Sequence, residues 1–290
     1  MGQTIACANQ KGGVGKTTTV VNLATYLALA GERILVVDLD PQGNATSGFG
    51  VDRSNLDLTV YDALVGGTDL GSTIVATGVD GCSLAPASVS LAGAEVELAG
   101  ADQRERRLSR ALGSVQARFD YVLLDCPPSL GLLTVNALTA AESVLIPTQC
   151  EFYALEGLSQ LIATLNLVRD NLNPSLAIKG VVLTMYDART NLSADVAAEV
   201  RRHLGDAVLD TVIPRSVRLS EAPSFGMPVA MYRNDSRGAV AYAELAAEIR
   251  RRDNRTTALD DSSAATVATM ATTATLRTES TGPLAAGTPR

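Results

Sequence analysis

Apolar residues in this chain come in short, nearly unbroken runs, two of which close on an aspartate. The clearest are Thr4-Ile5-Ala6-Cys7-Ala8, Ile34-Leu35-Val36-Val37-Asp38, Tyr121-Val122-Leu123-Leu124-Asp125, Ser143 to Thr148 and Lys179 to Met185. Runs without polar alternation belong to parallel strands covered on both faces. Between them, Thr19–Ala30, Phe152–Leu172, Ser193–Leu204 and Ala239–Arg252 place apolar residues at helical spacing. Strand, loop and helix therefore alternate from the start, and Val212-Ile213-Pro214 closes a last strand. The pattern predicts an α/β fold, a single doubly wound and mostly parallel sheet with helices on both faces, whose ligand sits at the carboxyl ends of the strands. Residues 51–118 predict smaller pieces: a short helix at Leu58–Val65, one strand at Cys82–Ala85 and a charged helix over Arg104–Ala117. From about Asn254 the chain turns to Thr, Ala, Ser and Gly without periodicity. Such a segment buries too little to offset ordering, so the expectation is a folded domain over 1–253 and a disordered tail over 254–290.

Chemistry enters at the loops after the first, second and third clear runs. The first is Ala8-Asn9-Gln10-Lys11-Gly12-Gly13-Val14-Gly15-Lys16-Thr17-Thr18. A glycine-rich turn between a strand and a helix aims backbone N–H groups at one point and makes an anion site. Lys16 then reaches terminal phosphates and the Thr17 hydroxyl can ligate Mg²⁺. This is a P-loop with one departure: Gln10 stands where the strict pattern has glycine, and a second lysine, Lys11, follows it. The chain has three lysines against twenty-one arginines, and two of the three lie in this loop. Where arginine is the habitual cation, a lysine kept here suggests that a compact ammonium is required. The other two loops are Asp38-Leu39-Asp40-Pro41-Gln42-Gly43-Asn44 and Asp125-Cys126-Pro127-Pro128-Ser129-Leu130-Gly131. In the expected fold, Asp38, Asp40 and Asp125 face the phosphates, where carboxylates serve the Mg²⁺ shell and orient an attacking water.

Composition narrows the partners. Net charge is −7, yet it is uneven: residues 1–178 carry 10 basic and 18 acidic side chains, residues 179–255 carry 12 and 10. An acidic chain can still own a basic face. No apolar run reaches the ~18 residues of a membrane span, and no leader pattern precedes the first strand, so the expected location is cytoplasmic. Cys7, Cys82, Cys126 and Cys150 are scattered without a C-x-x-C pair, which points to buried thiols rather than zinc. The one histidine, His203, lies in a charged helical stretch, which argues against histidine acid–base catalysis.

Together these motifs resemble the ParA/Soj family of chromosome- and plasmid-partitioning ATPases. The resemblance rests on Gln10 to Thr18, Asp38 to Asn44 and Asp125 to Pro128, continues through Asp187 to Leu192 and Ile213 to Pro223, and spans roughly residues 3–252. It implies that ATP and Mg²⁺ are bound by Lys11, Gly12, Gly13, Val14, Gly15, Lys16, Thr17 and Thr18, with Pro214 and Arg215 at the adenine. It implies a metal shell drawn from Thr17, Asp38, Asp40 and Asp125, and catalytic roles for Lys11, Lys16 and Asp40. Lys11 would cross an ATP-dependent sandwich homodimer to the partner's nucleotide, and Asp40 would position the water. Arg189 and Arg218 match the arginines by which chromosomal members hold nucleoid DNA without sequence preference. A ParB-like centromere-binding protein is the implied activator. Two rival readings remain: a positioning ATPase of the MinD type, and a P-loop enzyme with a small-molecule phosphoryl acceptor. The tail lacks the basic amphipathic pattern of a membrane-surface helix, against the first. The few residues before the first strand leave no room for a helix-turn-helix module, so operator-specific binding through one is not expected.

Overall fold

The computed structural model describes residues 2–152 and 154–253; the expected tail over 254–290 lies outside them. Residues Met1–Ile249 form one compact unit. Of the second, Arg250–Arg290, only the end of the last helix is described.

Among the described residues the sheet has eight strands: β1 (Gln3–Cys7), β2 (Ile34–Asp38), β3 (Val75–Ala76), β4 (Cys82–Ala85), β5 (Tyr121–Asp125), β6 (Ser143–Gln149), β7 (Ala177–Tyr186) and β8 (Val208–Pro214). Their order is β3-β4-β2-β5-β1-β6-β7-β8, parallel throughout except for the antiparallel β3–β4 edge pair. The expected doubly wound sheet is what forms. The helices are α1 (Lys16–Leu29), α2 (Asn44–Gly48), α3 (Val60–Leu64), α4 (Leu91–Glu97), α5 (Arg107–Leu112), α6 (Leu132–Ala140), α7 (Ala154–Asn171), α8 (Asn191–Leu204), α9 (Val217–Glu221), α10 (Val229–Tyr232) and α11 (Arg237–Arg252).

The unbroken apolar runs are explained by two cores, one on each face of the sheet. Along β1 and the residue that follows it, Ile5 and Cys7 belong to one core and Ala6 and Ala8 to the other. Every residue of β2 and of β5 is buried, because alternate side chains serve opposite cores. Three strands in this arrangement bring the motifs together. Cys7 pairs in register with Asp125, and Asp125 with Asp38, so the loops after β1, β5 and β2 emerge side by side.

The sequence expectation fails in detail between 51 and 118. A second strand, β3, pairs on the edge through only two residues, too short for a pattern. The expected Arg104–Ala117 helix is broken into a 3-10 turn (Arg104–Arg106), α5 and another 3-10 turn (Gln116–Arg118). The cause is a side chain from α6: Asn136 accepts the Leu108 N–H at 3.1 Å and donates to the Arg104 carbonyl at 2.8 Å, occupying groups that a continuous helix would pair internally.

Candidate nucleotide site

The phosphate loop is held by side chains at its start and by glycines along it. Asn9 Nδ2 donates to the Pro147 carbonyl on β6 at 2.7 Å, while Asn9 Oδ1 accepts the Lys11 N–H at 3.0 Å. Gly13 and Gly15 take φ of 75° and 90°, the left-handed region that an L side chain resists. Gly15 is the N-cap of α1 and offers no side-chain cap, so the first N–H groups of the helix face the loop with no competing side-chain acceptor there. Thr184 on β7 anchors the far side by donating to the Val14 carbonyl at 2.8 Å. Lys16 is only 6% exposed, and its Nζ donates to the Lys11 carbonyl at 3.2 Å across the mouth of the loop. Thr17 and Thr18 are half-buried on the first turn of α1, and Gly12 lies exposed on the outer side of the loop. Lys11 turns the other way and pairs with the Glu151 carboxylate just beyond β6.

Asp38, Asp40 and Asp125 converge beside this loop, each nearly or wholly buried. Asp38 is already engaged: one oxygen accepts the Thr46 N–H at 2.8 Å and the Thr46 hydroxyl at 2.7 Å, the other the Asp40 N–H at 3.2 Å. Burial pushes Asp38 up to about 6, against the opposing pull of the Thr46 bonds. Asp40 Oδ1 accepts the Gln42 N–H at 2.9 Å, which orders the turn that follows. Arg53 closes that turn by donating to the Gln42 carbonyl and lying over Gly43, where a Cβ would stand 2.6 Å from its guanidinium. Asp125 differs from its neighbours, because neither carboxylate oxygen has a hydrogen-bond partner. Burial first, and then the Asp38 charge, raise it well above the usual carboxylate range, while Thr17 and Lys16 pull it back.

A buried, unpartnered carboxylate beside a threonine hydroxyl and a lysine is costly unless a cation arrives, and it fits Mg²⁺. The four residues expected around the metal do not make a protein-only cage. Among the described residues no group of three or more His, Cys, Asp or Glu is disposed to hold a metal ion. That suits Mg²⁺, which keeps several waters and takes phosphate oxygens as ligands. Asp38, engaged by Thr46 and the Asp40 backbone, serves to shape the loop.

Pro214 lines a cavity of ≈ 330 Å³ with Tyr186, Val212, Asp235 and Arg237. Arg215 is not part of that lining; its N–H donates to the Tyr186 carbonyl at 2.9 Å and joins the ends of β7 and β8. Met185, at φ 51°, lies within β7 where its register against β8 shifts between Leu183 and Tyr186. The expected DNA-contacting arginines sit elsewhere on the surface, and each already has a carboxylate. Arg189 pairs in two-pronged fashion with Asp187 at 2.9 and 2.7 Å, and Arg218 with Glu221 at 2.6 Å. Asn9, Thr46, Arg53, Glu151 and Thr184 escaped the sequence reading as site residues. Asn9 carried a signal, standing two residues before Lys11 at the spacing of an Asx turn; Thr46 on α2, Arg53, Glu151 and Thr184 on β7 carried none.

A family model described as AAA domain matches residues 2–178. The chain is similar to the sporulation initiation inhibitor protein Soj of Bacillus subtilis, 57% identical over 249 residues, covering 86% of this chain and 98% of that protein. It is 52% identical over 255 residues to the chromosome partitioning protein ParA of Caulobacter vibrioides, covering 87% and 96%. Among solved structures it resembles a cobyrinic acid a,c-diamide synthase from Mycobacterium smegmatis with bound ADP and magnesium, at 40% identity and a TM-score of 0.78, covering 88% and 96%. It also resembles the septum site-determining protein MinD of Pyrococcus horikoshii complexed with Mg-ADP, at 29% identity and a TM-score of 0.73, covering 86% and 96%.

Proposed function

We propose, for a chain that belongs to the Soj/ParA family of chromosome-partitioning ATPases, a switch in which ATP binding drives a homodimer that holds DNA and hydrolysis releases it. The chain is an ATPase, and ATP and Mg²⁺ are its substrate and cofactor. The observation that carries the rest is a division of labour between two lysines of one loop. Lys16 is buried across the phosphate mouth, whereas Lys11 projects outward beyond its own site. A loop that needed charge only for its own nucleotide would not keep its second lysine on the outside.

In this reading Lys16 and the N–H groups of the loop hold the β- and γ-phosphates, and Lys11 reaches the nucleotide of the partner protomer. Thr17 and Asp125 would hold Mg²⁺, which supplies charge neutralisation across the phosphates. Asp38 fixes the Asp40 backbone, and Asp40 orients the attacking water. The cavity beside Pro214 receives the adenine. Catalysis of this kind is mainly positioning, so intrinsic turnover is slow and a partner can complete it. A ParB-like protein bound at a centromere is the proposed activator.

Arg189 and Arg218 are the proposed phosphate contacts, doubled by the dimer. Both are exposed and paired with carboxylates, so DNA competes with Asp187 and Glu221 for them, and binding weakens steeply with salt. Association with the nucleoid follows from that contact. Among the described residues no helix is long and apolar enough to cross a membrane.

A second reading, a P-loop enzyme acting on a small molecule, is favoured by the likeness to the Mycobacterium smegmatis cobyrinic acid a,c-diamide synthase. ATP turnover separates the two. Stimulation by DNA together with a ParB-like partner is the expected result; stimulation by cobyrinic acid, and none by DNA and partner, would favour the second reading.

A further inference from the structure

Lys11 is fixed along its backbone and free only at its side chain. Its N–H donates to Asn9 Oδ1 at 3.0 Å and its carbonyl accepts from Lys16 Nζ at 3.2 Å. Asn9 is in turn tied to Pro147 on β6, the strand that leads directly to Glu151. Glu151 is fixed as well, since its N–H donates to the Gln149 carbonyl and its carbonyl accepts the Ala154 N–H, both at 2.9 Å. The Lys11 ammonium therefore meets the Glu151 carboxylate within one protomer through side-chain rotation alone. The two side chains are 40% and 36% exposed, so water screens the pair and a stronger anion can displace it. Beyond Lys11 the loop is open, with nothing within 4 Å of where a Cβ on Gly12 or Gly13 would lie.

We propose that Glu151 is a positioning residue that holds Lys11 on its own protomer and so opposes the ATP dimer. The inference rests on the reading of Lys11 as a cross-dimer contact. Because the backbone of Lys11 is pinned, its ammonium has two destinations: the carboxylate of Glu151 or the phosphates of a partner's nucleotide. A triphosphate, carrying more charge than one carboxylate, wins that competition in the dimer, whereas a diphosphate wins it less fully. Glu151 thereby raises the protein concentration at which dimers form and sharpens the difference between ATP and ADP.

The test is the dimer dissociation constant, measured by sedimentation with Mg²⁺ and a non-hydrolysable ATP analogue. Wild type, Glu151→Gln, Lys11→Ala and the double variant would be compared at matched thermal stability. Glu151→Gln keeps the size and removes the charge. It is expected to lower the dissociation constant about three- to tenfold, and to permit dimers with ADP that wild type does not form. In the Lys11→Ala background the same substitution is expected to change nothing, which a merely structural role for Glu151 would not produce. Glu151→Asp, which keeps the charge, should stay near wild type. The proposal is overturned if Glu151→Gln dimerises no better than wild type, or if its gain persists without Lys11. If wild type itself forms no analogue-dependent dimer, the reading of Lys11 fails first and this inference falls with it.

Discussion

Asp38 and Asp125 are register partners at the carboxyl ends of adjoining parallel strands, and both are fully buried. Burial raises the proton affinity of both, the Asp38 charge raises that of Asp125 further, and Asp40 adds to that of Asp38. Below the ordinary carboxylate pKa both are protonated in the folded and the unfolded chain, and they cost nothing. As pH rises, the unfolded chain ionises first and is favoured. The stability lost is complete once pH passes the folded values, about 6 for Asp38 and above the usual range for Asp125. For Asp38 the loss sets in as pH rises through the unfolded value of about 4 and is nearly complete by pH 7. Asp125→Asn removes the unpartnered charge. In urea denaturation without Mg²⁺ or nucleotide it should be more stable than wild type at pH 8 by about 1–3 kcal/mol, with the advantage shrinking at pH 5. A variant less stable than wild type at both pH values would refute this assignment. Its Mg²⁺-dependent hydrolysis should be lost.

Thr46 gives Asp38 both its N–H and its hydroxyl, and the same hydroxyl accepts the Ala87 N–H at 3.1 Å. Thr46→Val keeps the shape and removes both hydroxyl bonds. The expected cost is about 1–3 kcal/mol of stability. Because Asp38 holds the Asp40 backbone, kcat should fall more than KM rises. A change confined to KM would place Thr46 in ground-state binding instead.

Asp40 accepts the Gln42 N–H with one oxygen, and the proposal gives the carboxylate the attacking water. Asp40→Ala should bind ATP and dimerise, yet turn over roughly 10²–10⁴-fold more slowly. Single-turnover hydrolysis measures this, and a normal rate would remove Asp40 from the water-positioning role.

Arg189 and Arg218 are each proposed to meet a DNA phosphate. Each single alanine variant should keep its ATPase activity and bind DNA more weakly. The slope of log affinity against log salt should become shallower by roughly 0.9 for every phosphate left without its arginine. An unaltered slope would mean that these arginines serve only their ion pairs with Asp187 and Glu221.

The strands and the loops after β1, β2 and β5 were legible because each is a local signal: an apolar run followed by a glycine- or proline-containing loop. The register that sets Asp125 between Cys7 and Asp38 was not, since it joins segments more than eighty residues apart. Helix α6 left no amphipathic trace, because Leu133, Ala137 and Leu138 are buried together with Thr134, Asn136 and Thr139. The break before α5 comes from Asn136, a side chain outside that segment. The lysine pair stood out by composition, yet the outward turn of Lys11 depends on Glu151, 140 positions along the chain. Arg189 and Arg218 drew notice through the family resemblance, while their pairing with Asp187 and Glu221 follows from loop and helix geometry.

The central claim is that ATP, and not ADP, joins two copies of this chain into the DNA-holding form. The most direct measurement is the solution mass of the full chain with Mg²⁺ and either ATP or ADP, followed by DNA retention of the same samples at low salt. The expected result is a dimer with ATP, a monomer with ADP, and DNA retained only by the dimer. The same mass with both nucleotides, and no DNA retained by either sample, would contradict the account.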